Sequence, residues 1–375
     1  MTGKTAYTIR ARGLLFLLVF VVFIHCRGQG PQPDTTPRVA IPAPFFNDLF
    51  SPKSGGWTGG DGTLSIYLND GRTIWLFGDT LLGQIRTDGT RPKDTPMIRN
   101  SLVIQNGGQI ETRYRRTGKG PSAFFAMPSA RAWYWPGDGT VVNSHAQIFL
   151  HRFRLETPRL WGWDWKGTVL ATLSLPDLEV ERFDEIVSEN GIMYGVSIHE
   201  SDRYTYIYGT QDASHPKFAH LARAPTGCLS GPWVFYSGRG WSEDPLASAP
   251  ILSGVSTQYS VFSTGGVFYL VTMDGRRPFP DTIVAYRAGS PSGPWQGPRM
   301  IYRVPGVDHN IIAYNPFVHT QFTEGNRYLV SYNLNHVNDP SALYMDASIY
   351  RPRFIRVDFA ELERRFSSSP GNGGN

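Results

Sequence analysis

Asp61 and Asp79 are the residues of this 375-residue chain whose type and spacing best fit bond-breaking chemistry. Each lies nine residues from Asp70, one before it and one after. Between them two β-rich runs, 64–68 and 73–77, flank Asn69-Asp70-Gly71-Arg72. Asp-Gly between such runs is a strong short-range hairpin signal. An antiparallel hairpin folded near Asp70 brings both carboxylates to one end, almost opposite each other. Directly facing residues there stand roughly 4.5–5.5 Å apart. Glycines flank both aspartates, and glycine lets the backbone turn sharply or a ligand come close.

Two neighbouring carboxyls suit glycoside hydrolysis: one protonates the leaving oxygen, the other acts as base or nucleophile. Like charges held close together cannot both ionise easily, so one group stays protonated nearer neutral pH and becomes a usable acid. Either aspartate could take that role. The competing reading is that each carboxylate only caps its glycine-rich turn.

Other residues could bind a sugar. Trp57 and Trp135 stand beside glycine-rich motifs and could stack on the apolar face of a sugar ring. For most of the ten tryptophans packing is the better assignment. Trp161, Trp163 and Trp165 alternate, share one face if on a strand, and are read as packing. Arg99 and Asn100 lie just ahead of a strand, where polar side chains could bond sugar hydroxyls. Asp308-His309-Asn310 is a polar cluster before an apolar run, and His309 is taken as a substrate contact. Asp138 and Glu189 read as turn residues, and Glu243-Asp244 as weaker candidates near a channel mouth. The histidines show no metal-ligand spacing such as HExxH, and no cofactor is expected; nothing in the sequence calls for Ca²⁺. Serine-hydrolase elbow, phosphate loop and dinucleotide fingerprint are all missing from the sequence.

The elements that must position these residues are strands. Gly 40 and Pro 28 are high and the charged fraction is only 18%, which suits many short strands with tight turns. Strand-like runs recur along the whole body, and helical periodicity is confined to 359–366. Ala222-Arg223-Ala224 leads to Ser230-Gly231-Pro232-Trp233, and later Tyr286-Arg287-Ala288 leads to Ser292-Gly293-Pro294-Trp295, the two tryptophans 62 residues apart. About five such periods fit between residues 45 and 360. The expected fold is all-β, a five-bladed β-propeller.

Outside that body, Lys4, Arg10 and Arg12 precede an apolar run at 14–24, the pattern of a signal peptide. Cys26 could instead be a lipidated first residue, although His25 fits a lipoprotein box poorly. The expected layout is a signal peptide or lipoprotein signal at 1–28, a Pro-rich linker at 29–44, the propeller at 45–366 and a disordered tail at 367–375. The body is expected outside the cytoplasm, as a periplasmic, secreted or cell-surface protein, touching membrane only through a lipid at Cys26. Two cysteines, Cys26 and Cys228, make no disulfide framework. The net charge of +5 is scattered, so no nucleic-acid partner is expected.

The segments Trp57-Thr58-Gly59-Gly60-Asp61-Gly62 and Trp75-Leu76-Phe77-Gly78-Asp79-Thr80 resemble a bacterial family long called a domain of unknown function. Arg99-Asn100-Ser101, Trp135-Pro136-Gly137-Asp138-Gly139, Tyr206-Ile207-Tyr208-Gly209, Ser292-Gly293-Pro294-Trp295 and Ser331-Tyr332-Asn333-Leu334-Asn335 follow in order. The resemblance spans roughly residues 45–360. It implies a five-bladed propeller related to glycoside hydrolases of family 183, which are endo-acting on D-arabinan, with Asp61 and Asp79 as the catalytic carboxylates. It also places His319 and Asn333 among the substrate-binding residues. One departure stands out: His319-Thr320-Gln321 has no acid where the fifth blade would carry one. The expected function is an exported glycoside hydrolase acting on a bacterial or plant polysaccharide, arabinan-like in character. The alternative is a non-catalytic glycan-binding propeller at the cell surface.

Overall fold

The structure is a computed structural model and describes residues 38–368, except 128, 130, 159, 188, 213 and 214. The expected signal segment, most of the linker and most of the tail lie outside the described residues.

The hairpin around Asp70 forms as its sequence dictates. Leu64–Tyr67 pairs with Arg72–Phe77, Leu64 facing Leu76 and Tyr67 facing Thr73. Asn69 and Gly71 turn the chain with φ of 62° and 93°, the left-handed values such a tight turn needs. Ser101–Asn106 and Gln109–Arg113 complete the first sheet. Beyond the hairpin, Gly56–Gly60 and Thr80–Gly83 continue the same register, with Gly60 opposite Thr80.

After a small two-stranded pairing of Arg115–Thr117 with Gly120–Ser122, four larger antiparallel sheets follow. The second consists of Ala132–Val142, His145–Leu155, Trp163–Ser174 and Val180–Ile186. The third begins with Met193–Glu200, Tyr204–Gln211 and Lys217–Pro225. The fourth consists of Ser260–Thr264, Val267–Met273, Thr282–Ala288 and Gln296–Arg303. In the fifth, Ile311–Glu324, Arg327–His336 and Arg353–Asp358 are joined at the outer edge by Ala40–Pro42. Among the described residues there are also three short α-helices, Pro44–Leu49, Ala342–Met345 and Phe359–Ser368, and one 3₁₀ turn, Pro245–Ala247. The all-β expectation holds.

Alternation along the strands explains how the sheets stack. Successive strand side chains point to opposite faces. Ile74 and Leu76 enter an apolar cluster with Ile148 and Leu150 of the second sheet. Trp75 and Phe77, between and after them, enter an aromatic cluster with Leu329 and Phe354 of the fifth. Likewise Phe149 packs against Tyr194 and Ile207 of the third sheet, Tyr208 against Leu270 and Tyr286 of the fourth, and Val271 against Val330 and Ile355 of the fifth. Each sheet therefore buries both faces, at roughly 1.5–3 kcal/mol for each large apolar side chain. The first strands line one cavity of about 420 Å³, to which Ser65, Asp138, Ser197, Ser260 and Phe317 each contribute from a different sheet.

Two boundaries and one local assignment differ from the sequence reading. Residues 40–42, assigned to the linker, are a strand, because Ala40, Ile41 and Pro42 pair with Val357, Arg356 and Ile355. Residues 367 and 368, assigned to the tail, are the last turn of the C-terminal helix. Asp138 lies not in a turn but in a bulge of the strand Ala132–Val142, between Pro136 and Gly139. Pro and Gly are turn signals in sequence, and they serve bulges equally well.

Candidate active site

Asp61 and Asp79 occupy the junction between the two paired halves of the extended hairpin. The Gly78 amide donates to the Asp61 carbonyl at 2.7 Å, locking the two residues together across it. Gly78 is needed here. A Cβ on it would stand 2.8 Å from Asp61 Oδ1 and 3.2 Å from Trp135 Cδ1. Gly59 is equally constrained, by the Arg91 guanidinium and the Tyr350 carbonyl.

The two carboxyls have different surroundings. Asp61 Oδ2 accepts from the Tyr314 hydroxyl at 2.9 Å, and Tyr350 also donates to Asp61. Burial, and then the neighbouring Asp79, push the Asp61 carboxyl up from 3.8 to about 7, against the pull of the two phenols. Asp79 Oδ1 accepts from Trp135 Nε1 at 2.9 Å and Oδ2 from Arg99 at 2.9 Å. Burial raises Asp79 as well, but the Arg99 cation, the Trp135 donor and the Arg99 hydrogen bond all oppose it. Asp61 is thus set up to hold a proton near neutrality, while at Asp79, also raised by burial, the Arg99 cation and the Trp135 donor favour the carboxylate form.

The loop carrying Asp61 is pinned from several elements. The Gly60 amide donates to the Tyr350 carbonyl at 2.8 Å, and Asn333 Nδ2 reaches the Gly60 carbonyl at 3.3 Å and Thr63 Oγ1 at 3.1 Å. Two buried guanidiniums, Arg91 and Arg351, both donate to the Thr58 carbonyl at 2.9 Å. Tyr350 has a left-handed φ of 66°, a costly backbone state for a bulky side chain that persists only where surroundings enforce it. Among the described residues, no three His, Cys, Asp or Glu side chains converge to hold a metal ion.

A family profile described as a domain of unknown function, DUF5005, matches residues 44–360. The chain belongs to that family. No curated protein matches it in sequence. A protein of Bacteroides ovatus, provisionally named a hydrolase, has the same fold as this DUF5005 chain: TM-score 0.76, 20% identity, covering 90% of this chain and 96% of that one. Weaker likenesses include the GH43_1 enzyme of Xanthomonas citri complexed with xylotriose, at TM-score 0.48 and 13% identity, covering 84% and 89%. Another is the α-L-arabinofuranosidase of Podospora anserina in complex with cellotriose, at 0.46 and 10%, covering 81% and 94%.

Of the residues expected at a DUF5005 site, Arg99 and Trp135 do meet Asp79. Four others are corrected. Trp57 is 1% exposed, wedged against Phe50 and Phe77, and cannot offer a face to a sugar. Asn100 is fully buried, its side chain bonded to the backbone of Phe125 and Tyr134. His319 is fully buried between Ser65 and Ser331, and burial lowers it to about 3, so it stays neutral and structural. Asn333 is buried too and holds the Asp61 loop rather than a ligand. His309 is exposed in a turn where Asp308 accepts from the amides of Asn310 and Ile311, at the entry to the strand carrying Tyr314. The residues that sequence reading missed are Tyr314 and Tyr350, which reach Asp61 from the far end of the chain with no local pattern to mark them; Asn335, inside a quoted segment but given no role, reaches Tyr314.

Proposed function

We propose that this protein hydrolyses glycosidic bonds, with Asp61 as general acid and Asp79 as base or nucleophile. One observation carries the reading: two buried carboxyls from one hairpin share a site, and of the two Asp79 has a cation, Arg99, paired to it while Asp61 has none and is raised further by Asp79. Asp61, protonated near neutral pH, delivers its proton to the leaving oxygen. Asp79, whose carboxylate form is favoured by Arg99 and Trp135, faces the charge that develops at the sugar carbon or activates a water there. The fold shared with the Bacteroides ovatus protein, itself provisionally named a hydrolase, supports a hydrolytic reading.

The finer parts of the proposal rest on the sequence. The resemblance to family 183 points to an arabinan-like furanose polymer, and the N-terminal pattern points to export. The five sheets, each packed on the next and the fifth on the first, support a five-bladed propeller.

A second reading has its own support. Both oxygens of Asp79 are already engaged, which suits a site that only binds glycan. Release of reducing ends from a polysaccharide panel that includes arabinan separates the two. On the hydrolytic reading Asp61→Asn and Asp79→Asn each lower cleavage by about 10²-fold or more while the fold is retained. Wild-type rates in both variants would sink the proposed pair. Retention of glycan by the wild type without cleavage would favour the binding reading.

A further inference from the structure

A circuit of contacts surrounds Asp61 and Asp79. Tyr314 donates to Asp61, and Asn335 donates to Tyr314. Two residues past Asn335, the Val337 carbonyl accepts from Trp161 Nε1 at 3.1 Å. The Trp161 ring lies 5.2 Å from that of Trp163, and Trp163 lies 5.5 Å from Trp135, edge to face. Trp135 closes the circuit by donating to Asp79. One side of this circuit is carboxyl, phenol and amide. The other is a row of indoles.

Trp161 is the outermost indole, with 48% of it exposed. Two features distinguish it from an aromatic left over at the surface. Its backbone sits at φ 60°, in the left-handed region that bulky residues avoid and that persists mainly at functional positions. Its indole N–H is committed to a carbonyl that follows the fifth sheet's strand Arg327–His336, while Trp161 itself precedes the second sheet's strand Trp163–Ser174. The first sheet packs against both of those sheets, so this bond joins the two flanks of the sheet that carries Asp61. The ring is thereby fixed before any ligand arrives, which lowers the ordering cost of binding. Trp165, two residues beyond Trp163, is packed against the third and fourth sheets as expected; Trp161 is not.

Resting on the glycan-cleaving reading above, we infer that Trp161 is the stacking platform of a sugar subsite beside the two carboxyls. A sugar ring has an apolar C–H face and a polar rim of hydroxyls. The indole takes the face, and the Tyr314–Asn335 wall takes the hydroxyls.

The test is affinity electrophoresis of the full chain in gels cast with arabinan and a panel of other polysaccharides. Asp61→Asn serves as the non-cleaving background. That protein is retarded by at least one polysaccharide. Adding Trp161→Ala weakens the retardation about tenfold, whereas Trp161→Phe keeps part of it. Unchanged Tm in both tryptophan variants separates the effect from unfolding. Equal retardation with and without Trp161, or an unchanged KM for wild-type cleavage in Trp161→Ala, overturns the subsite and leaves the hydrolytic reading intact. No retardation by any polysaccharide, together with no cleavage by the wild type, overturns both.

Discussion

At the scale of single residues, the asymmetry between Asp61 and Asp79 makes a pH prediction whose sign follows from the hydrogen bonds. If Asp61 must be protonated to act, kcat/KM declines as pH rises through about 7. Tyr314 donates to Asp61 and favours its ionised form. Tyr314→Phe removes that donor, so the protonated form persists to higher pH and the alkaline limb moves upward. The rate at the optimum drops by up to about 10²-fold as Asp61 loses its orientation. A pH–rate profile with an unmoved limb would separate Tyr314 from the acid. The aspartate pair was legible because a turn only nine residues away sets its register. Tyr314 was not, since 253 residues separate it from Asp61 and only the packing of the fifth sheet on the first joins them. Trp57 was misread for a related reason. A tryptophan beside glycines has the same sequence appearance whether it faces a ligand or, as here, Phe50 and Phe77.

At the scale of elements, Asp138 shows how a carboxylate can be structural without being in a turn. Its Oδ1 accepts from the Gly139 amide and its Oδ2 from the Ile198 amide, each at 2.8 Å, tying the bulge of the second sheet to the first strand of the third. Burial raises it to about 7 despite those two donors. Asp138→Ala leaves two amide donors without partners, at roughly 1–3 kcal/mol each, and urea unfolding at pH 5 measures the loss. A variant as stable as wild type would mean that water replaces the carboxylate at no cost. The raised pKa also has a sign for stability. The contribution is fully present below the unfolded value of 3.8 and is lost as pH rises through about 7, so Asp138→Ala should flatten the decline between those limits. The Gly-Pro-Trp echo was a better guide than the Pro-Gly-Asp-Gly segment. Trp233 and Trp295 both lie between the third and fourth strands of their sheets, so the repeat in sequence marks equivalent places in consecutive sheets. Pro136–Gly139 carries the same residue types in a bulge, and composition alone does not separate bulge from turn.

At the scale of the whole molecule, the fifth sheet is completed by the beginning of the described chain. Ala40–Pro42 pairs with the strand Arg353–Asp358, the Ala43 amide donates to the Phe354 carbonyl, and Val39 is buried among Val357, Phe359 and Leu362. Three residues including a proline carry too little pattern to be read as a strand, and the surrounding proline-rich composition points to a linker instead. Their value appears only when a partner more than 300 residues away is in place. A chain beginning at residue 44 should therefore be less stable than one beginning at residue 38. It gives up one buried valine and a short ladder, roughly 2–4 kcal/mol together, and exposes a strand edge that invites association. Thermal melts of the two chains measure this directly, with Tm several degrees lower for the shorter one. The lost strand is at the outer edge of the sheet, whereas Tyr314 and Asn335 are on its two innermost strands. Cleavage well below Tm should then survive the truncation. Equal melting temperatures would show that the outer strand does not close the sheet, while lost activity in a chain still folded would show that closure reaches Asp61.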